Sequence, residues 1–203
     1  MMPARTSHPR PAASVASALL LVAAWAFIPG CGLPASRCAQ RSLDLVTGDV
    51  LPALTVRSLD DQPIDIHELI DGKIAVVDIW ATWCGPCMAA IPRLQALHNR
   101  YADRGFTIVG LLTDRNASRI GPTIVERRGI GYPIVLDDFG EELNCAWGSP
   151  PAIPYMLLVD RDGAVVDIFR GTVGVAAVER RVELLFREES AQAARSSSRA
   201  TSS

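Results

Sequence analysis

Histidine is scarce in this chain: only His8, His67 and His98 occur in 203 residues. No two of them stand three to five residues apart, and there is no second Cys-x-x-Cys, so a zinc knuckle has only half its ligands. His67 and His98 read as surface residues. An excess of charge of either sign is also missing. Twenty Lys and Arg face 22 Asp and Glu, a net of −2. No basic patch points to nucleic acid, and no acidic tract points to a charged partner. No internal repeat is visible. Cysteine is sparse and odd in number, at five, so the five need separate explanations.

Long apolar runs are limited to the N-terminus. Arg5, His8 and Arg10 precede a run from Ala12 to Ile28 that ends at Pro29-Gly30-Cys31, the pattern of an export signal. The run is a little short for a spanning helix. Ile28-Pro29-Gly30-Cys31 resembles a bacterial lipobox, which implies that Cys31 becomes a lipid-bearing N-terminus. The other reading is an uncleaved anchor, with Cys31 at the end of a membrane helix. Either one expects residues 1–31 to act as signal or anchor and the rest to lie extracytoplasmically, on the periplasmic side of a bacterial membrane. Residues 32–47 are polar and aperiodic and read as a tether. Residues 48–189 form the folded domain, and the Ser-, Ala- and Arg-rich residues 190–203 read as a disordered tail.

The densest signal is Val76-Val77-Asp78-Ile79-Trp80-Ala81-Thr82-Trp83-Cys84-Gly85-Pro86-Cys87. An apolar strand runs into two thiols. Beyond them Met88, Ile91, Leu94, Leu97 and Tyr101 recur at helical spacing. The cysteines therefore sit where a buried strand meets a helix N-terminus, whose free N–H groups and dipole favour a thiolate. Pro86 fits the first helical turn. Two thiols three residues apart can close a small reversible disulfide.

Around this unit the pattern predicts an edge strand within Leu51–Leu59, a short strand Pro63–Ile66 and a helical turn at His67–Ile70. The central strand Ile74–Trp80 and a helix from Cys84 to about Arg104, kinked at Pro92, come next. They are followed by a strand Phe106–Leu112, a helix Ala117–Arg128, a strand Tyr132–Leu136 and a short helix Glu141–Trp147. Two strands, Tyr155–Val159 and Ala164–Phe169, are joined through Asp162-Gly163. A final helix presents Val175, Val178, Val182, Leu185 and Phe186. Strands alternating with helices argue an α/β fold with a parallel centre, and the hairpin adds antiparallel strands at one side.

Trp80-Ala81-Thr82-Trp83-Cys84-Gly85-Pro86-Cys87, with Pro92, Pro154 and Asp160-Arg161-Asp162-Gly163, resembles the thioredoxin superfamily. The extra βα unit and the N-terminal extension resemble its TlpA- and ResA-like extracytoplasmic branch. The resemblance covers roughly Leu51–Phe186. It implies a thioredoxin fold, a central mixed sheet flanked by helices, with an N-terminal β extension and a central βα insertion. It implies dithiol–disulfide exchange with protein thiol and disulfide substrates, electrons from a transmembrane donor, and a part in cytochrome c maturation or thiol upkeep. No cofactor is expected. It makes Pro154 the cis-proline beside the disulfide, and makes Trp83, Gly85, Pro86, Ile153 and Pro154 the substrate surface. Trp83 is expected to be part lid and part core, and Trp80 core. Many members of that branch carry Asn where Asp78 stands, and Ser149–Pro154 is richer in proline than the usual approach.

Cys84, first at the helix end, is the expected nucleophile, and Cys87, deeper, the resolving thiol. Asp78 interrupts an otherwise apolar strand. It either pairs with a cation such as Lys73 or is a desolvated acid able to take the Cys87 proton. Cys38 and Cys145 are left over. They form a structural disulfide or stand as independent thiols, and mapping of non-reduced peptides decides between these. Two other functions use the same thiols. A Cu(I) carrier would want a nearby Met or His. A thiol peroxidase would want Pro-x-x-x-Thr-x-x-Cys, where this chain has Val77 and Ala81.

Overall fold

Two seven-residue runs of branched and aromatic apolar residues make the centre of the molecule. They are β3 (Ile74–Trp80) and β4 (Phe106–Leu112), and every residue of both is buried. They pair in parallel from Ile74 with Phe106 to Trp80 with Leu112. Such runs lack alternation because both faces are covered. The computed structural model describes residues 42–171 and 174–200 of the chain. The leader at 1–31, Cys31, Cys38 and the first part of the expected tether lie outside the described residues.

The other strands are β1 (Thr55–Ser58), β2 (Pro63–Asp65), β5 (Ile134–Leu136), β6 (Tyr155–Val159) and β7 (Val165–Arg170). The sheet order is β2-β1-β5-β4-β3-β6-β7. β3, β4 and β5 are parallel, and the β1–β2 and β6–β7 hairpins add antiparallel strands at opposite sides. The sequence led us to expect antiparallel strands at one side only and β1 at the edge. Instead β1 pairs with β5 and β2 takes the edge.

The helices are α1 (Ile66–Ile70), α2 (Gly85–Tyr101), α3 (Ala117–Arg128), α4 (Glu141–Ala146) and α5 (Val175–Ala200). α2 runs through Pro92 as one helix and buries Cys87, Ala90, Ile91, Leu94, Leu97 and Tyr101, the stripe its spacing implies. α2, α3 and α5 cover the sheet face that carries Val76 and Trp80. α1 and α4 cover the face that carries Ala75, Val77 and Ile79. Alternation along β3 therefore decides which layer each side chain enters. α5 is fixed to α2 by the stacked rings of Tyr101 and Phe186, 5.0 Å apart, by Arg104 lying 4.5 Å over Phe186, and by the Arg93–Glu179 ion pair.

Two expected boundaries are corrected. From Ser42 the expected tether is packed, not loose: Leu43 and Leu45 are buried beside Leu51 and Leu54, and the Leu43 N–H donates to the Ser149 carbonyl. Their alternation delivers two leucines to the same apolar layer, which holds the backbone down. At the other end, the stretch expected to be a disordered tail from Ser190 is helical to Ala200. Its described side chains are exposed, but α5 is nucleated by its packed first half, and Ala, Arg and Gln propagate a helix already begun.

Gly110 stands beside Asp78 in the β3–β4 ladder. A Cβ there would lie 2.5 Å from Ile134 Cδ1, 3.0 Å from Trp80 Nε1 and 3.4 Å from a Tyr132 ring carbon. All three neighbours are enclosed, so none can move freely aside. Gly110→Ala is expected to cost about 1–3 kcal/mol by overpacking, read as a lowered urea midpoint at unchanged slope.

Candidate active site

The end of β3 delivers the thiols. Thr113 donates both its N–H and its hydroxyl to the Trp80 carbonyl, at 3.0 and 3.2 Å, which binds the ends of β3 and β4 together. Cys84 then takes extended backbone, φ −84 and ψ 99, and forms the N-cap of α2, with Gly85 and Pro86 opening the first turn. Its carbonyl accepts the N–H of Met88 and its Sγ accepts the N–H of Cys87 at 3.2 Å. A sulfur at this place is an N-cap acceptor in the position where a helix favours negative charge. Cys84 and Cys87 are joined in a disulfide, with Cα atoms 5.2 Å apart. Cys84 is 5% exposed and Cys87 1%. Cys84 is therefore the more exposed residue of the two, though both are largely covered. Gly85 and Pro86 are exposed. Trp83 is 73% exposed, which corrects the expectation that it is partly core, while Trp80 is wholly buried.

Asp78 lies mid-strand on the face of Val76 and Trp80, level with Gly110 on one side and Met156 on the other. Cys87 belongs to the apolar cluster that includes Val76 and Trp80. Asp78 is buried, and among the described residues its Oδ1 has no protein partner and no cation pairs with it; Lys73 instead donates to the Leu69 carbonyl. Burial pushes its carboxyl up to about 7. A group that titrates there can hold or release a proton at working pH.

The Ile153–Pro154 peptide is cis. Pro154 is buried and Ile153 half-buried. The β3–β6 ladder begins with Ile79 paired to Tyr155. Pro154 is therefore level with Trp80, at the end of the sheet that carries the disulfide. Cys145, exposed on α4, is disulfide-bonded. Its expected partner Cys38 lies outside the described residues. Among the described residues, no group of three or more His, Cys, Asp or Glu is placed to hold a metal ion.

Four residues here were not foreseen. Buried Asp114 accepts the Thr82 N–H at 2.8 Å and the Thr82 hydroxyl at 2.6 Å, which ties down the loop before Cys84. Its carbonyl also accepts the N–H groups of Ala117 and Phe139. Phe139 has φ +62 and is 59% exposed, an aromatic ring held outward on backbone that non-glycine residues seldom adopt. Tyr132 lies outside β5 and under the layer of α2, with its hydroxyl enclosed. His98, expected at the surface, is half-buried with its ring against Tyr132, centroids 6.1 Å apart. One signal pointed toward Asp114: it follows the carboxyl end of a parallel strand, where open α/β sheets place their sites.

The redoxin family model matches residues 46–181. The chain belongs to the redoxin family. It is similar to the thiol-disulfide oxidoreductase ResA of Halalkalibacterium halodurans, 29% identical over 150 residues, which are 72% of this chain and 81% of the relative. It is also 29% identical over 120 residues to ResA of Bacillus thuringiensis (strain Al Hakam), covering 59% and 67% of the two chains. The solution structure of a thiol:disulfide interchange protein from Bacteroides sp. matches with a TM-score of 0.58 at 27% identity, over 68% of this chain and 89% of that one. The fold is the thioredoxin fold, and this redoxin is a thiol-disulfide oxidoreductase of the ResA-like kind.

The raised Asp78 carboxyl has a thermodynamic cost. The folded chain holds that proton more tightly than the unfolded chain, so stability is full below about pH 4 and is lost as pH rises through about 7. Asp137 acts in the same direction over a narrower range. Burial raises it to about 6, against the lowering effect of the Leu143 and Glu142 N–H groups it accepts at the start of α4. Asp78→Asn removes the larger share. In the disulfide form it is expected to match the parent near pH 4 and to exceed it by roughly 3–4 kcal/mol above pH 7. Urea unfolding of both proteins across that range checks it, and parallel pH curves would contradict it.

Proposed function

We propose that this redoxin works outside the cytoplasm, tethered to a membrane by its N-terminus, and reduces disulfides in protein substrates. The observation that carries the chemistry is the Cys84–Cys87 pair at the α2 N-cap, with the unpartnered acid of Asp78 on the buried face of the same strand–helix unit.

The reduced enzyme begins with the Cys84 thiolate attacking one sulfur of a substrate disulfide. A Cys84–substrate bond forms, the substrate S–S bond breaks, and the first substrate sulfur leaves as a thiolate. Ionised Asp78 then takes the proton of the Cys87 thiol. The Cys87 thiolate attacks Cys84 Sγ, the Cys84–Cys87 bond forms, and the second substrate sulfur departs. Two electrons pass to the substrate, and Asp78 is left protonated. A dithiol donor, in this reading a transmembrane reductase, returns the pair to the reduced state.

The substrate surface combines Trp83, Gly85, Pro86 and the margin at Ile153–Pro154. Ile153 stands just before the first ladder pair of β6, which suits main-chain pairing with an extended substrate segment. Phe139 adds a second exposed ring, linked to the Thr82 loop through Asp114. The membrane tether is supported by the leader pattern of residues 1–31. Maturation of cytochrome c is one destination for such reducing equivalents.

A chromogenic disulfide separates the two steps. With 5,5′-dithiobis(2-nitrobenzoate), each turnover releases one thionitrobenzoate when Cys84 is captured and a second when Cys87 resolves the mixed disulfide. Asp78→Asn is expected to leave the first release within about twofold and to slow the second at least about tenfold at pH 7. Cys87→Ser is expected to stop after one. Equal second phases in parent and Asp78→Asn would remove Asp78 from the mechanism.

A further inference from the structure

Asp78 must lose its proton after each turnover, yet it is only 2% exposed. Four side-chain polar atoms in the described structure are enclosed without a protein hydrogen-bond partner: Asp78 Oδ1, Trp80 Nε1, the Tyr132 hydroxyl and His98 Nδ1. They are not scattered. Gly110 pairs with Asp78, and Ile134 Cδ1, Trp80 Nε1 and the Tyr132 ring close together on its Cα. Charge on Asp78 reaches Tyr132, where it adds to burial in keeping the phenol protonated. The Tyr132 ring meets the His98 ring edge-on, at 61°. His98 is half-buried on α2, with its Nδ1 inward and part of the ring open to solvent. Gln95 accepts the Gly131 N–H at 2.6 Å, so the segment that carries Tyr132 is pinned to α2 one turn before His98.

Isolated unmade hydrogen bonds in an apolar layer cost about 1–3 kcal/mol each. Four such atoms occur between Asp78 at the centre of β3 and His98 on α2. Polar atoms of this kind are satisfied by buried water, which needs two or more such partners.

We propose that Tyr132 and His98, bridged to Asp78 by bound water, are the exit route for the proton that Asp78 takes from Cys87. This rests on Asp78 being the base of the preceding section. No electrons move. Protonated Asp78 gives its proton to the bridging water, and the chain of hydrogen bonds shifts by one place through the Tyr132 hydroxyl, which accepts one proton and passes on its own. His98 receives a proton at Nδ1 and releases one to solvent. Tyr132 stays a neutral phenol at rest because burial and the Asp78 charge both oppose its ionisation. His98 stays neutral because burial lowers its basicity, so it is free to accept. Besides Asp78, the titratable groups here are Tyr132 and, on α2, His98, while Cys84 and Cys87 are joined in the disulfide. β4 and β6 present Gly110 and Met156 beside Asp78.

The test is a pH jump on the disulfide form, from about pH 5 to about pH 8, following the carboxylic acid infrared band that Asp78→Asn abolishes. Tyr132→Phe and His98→Ala are expected to slow its disappearance at least about tenfold, while the equilibrium midpoint of the band stays near that of the parent. Added imidazole is expected to restore the rate in His98→Ala, where the lost group reached solvent, and not in Tyr132→Phe. His98→Gln serves if the alanine variant fails to fold. Relaxation as fast as the parent in the folded Tyr132→Phe and His98 variants overturns the route. So does slowing that follows only a shifted midpoint. The jump involves no thiol step. A normal second thionitrobenzoate release in Asp78→Asn would instead defeat the base assignment, whatever the jump shows.

Discussion

A single carboxyl kept out of water governs this molecule. Everything that makes β3 a good central strand, apolar neighbours on both sides and helices over both faces, makes it a poor place for Asp78 to ionise. Six residues further on, the same strand–helix unit does the reverse, because the free amide end of α2 favours negative charge on Cys84. The two effects have opposite sign and share one short stretch of chain. The helix end favours charge on the sulfur, and burial opposes charge on the acid. The difference between them is what the covering layers hold in place.

Geometry around that acid is set by what is missing as much as by what is present. Gly110 removes a Cβ beside Asp78 and lets Trp80, Tyr132 and Ile134 close over it. The loop that carries the thiols is positioned from outside the motif, by Asp114 through Thr82 and by Thr113 through Trp80. The redox loop is thus a segment suspended between β3 and β4, with its chemistry in one strand–helix junction and its placement in another.

Much of this was legible in the sequence wherever cause and effect are neighbours along the chain. The apolar run of β3, the helical stripe after Cys87 and the Asp162-Gly163 turn are local patterns, and the structure follows them. The Thr82–Asp114 bonds join residues 32 apart, and His98 meets Tyr132 across 34 positions. No periodicity records such meetings, so a half-buried histidine passed for a surface one. Leu43 and Leu45 were hidden in a polar stretch, where two alternating leucines are too short a pattern to read. The helix beyond Ser190 was missed for a related reason. Composition alone does not reveal that a packed first half will carry a helix forward.

The outer rims of the sheet bear on the company such a protein keeps. β2 has only three residues and starts with Pro63, so it gives an unfolded chain little to zip onto. At the opposite margin the start of β7 is already occupied. Val165 exchanges hydrogen bonds with Gly48 and Asp49, and Val50 bridges to Ala164. A free sheet edge is a template on which other extended chains can pair. Here one rim is short and begins with proline, the other is covered at its start, and the margin before β6 lies at the end of the sheet that carries the disulfide.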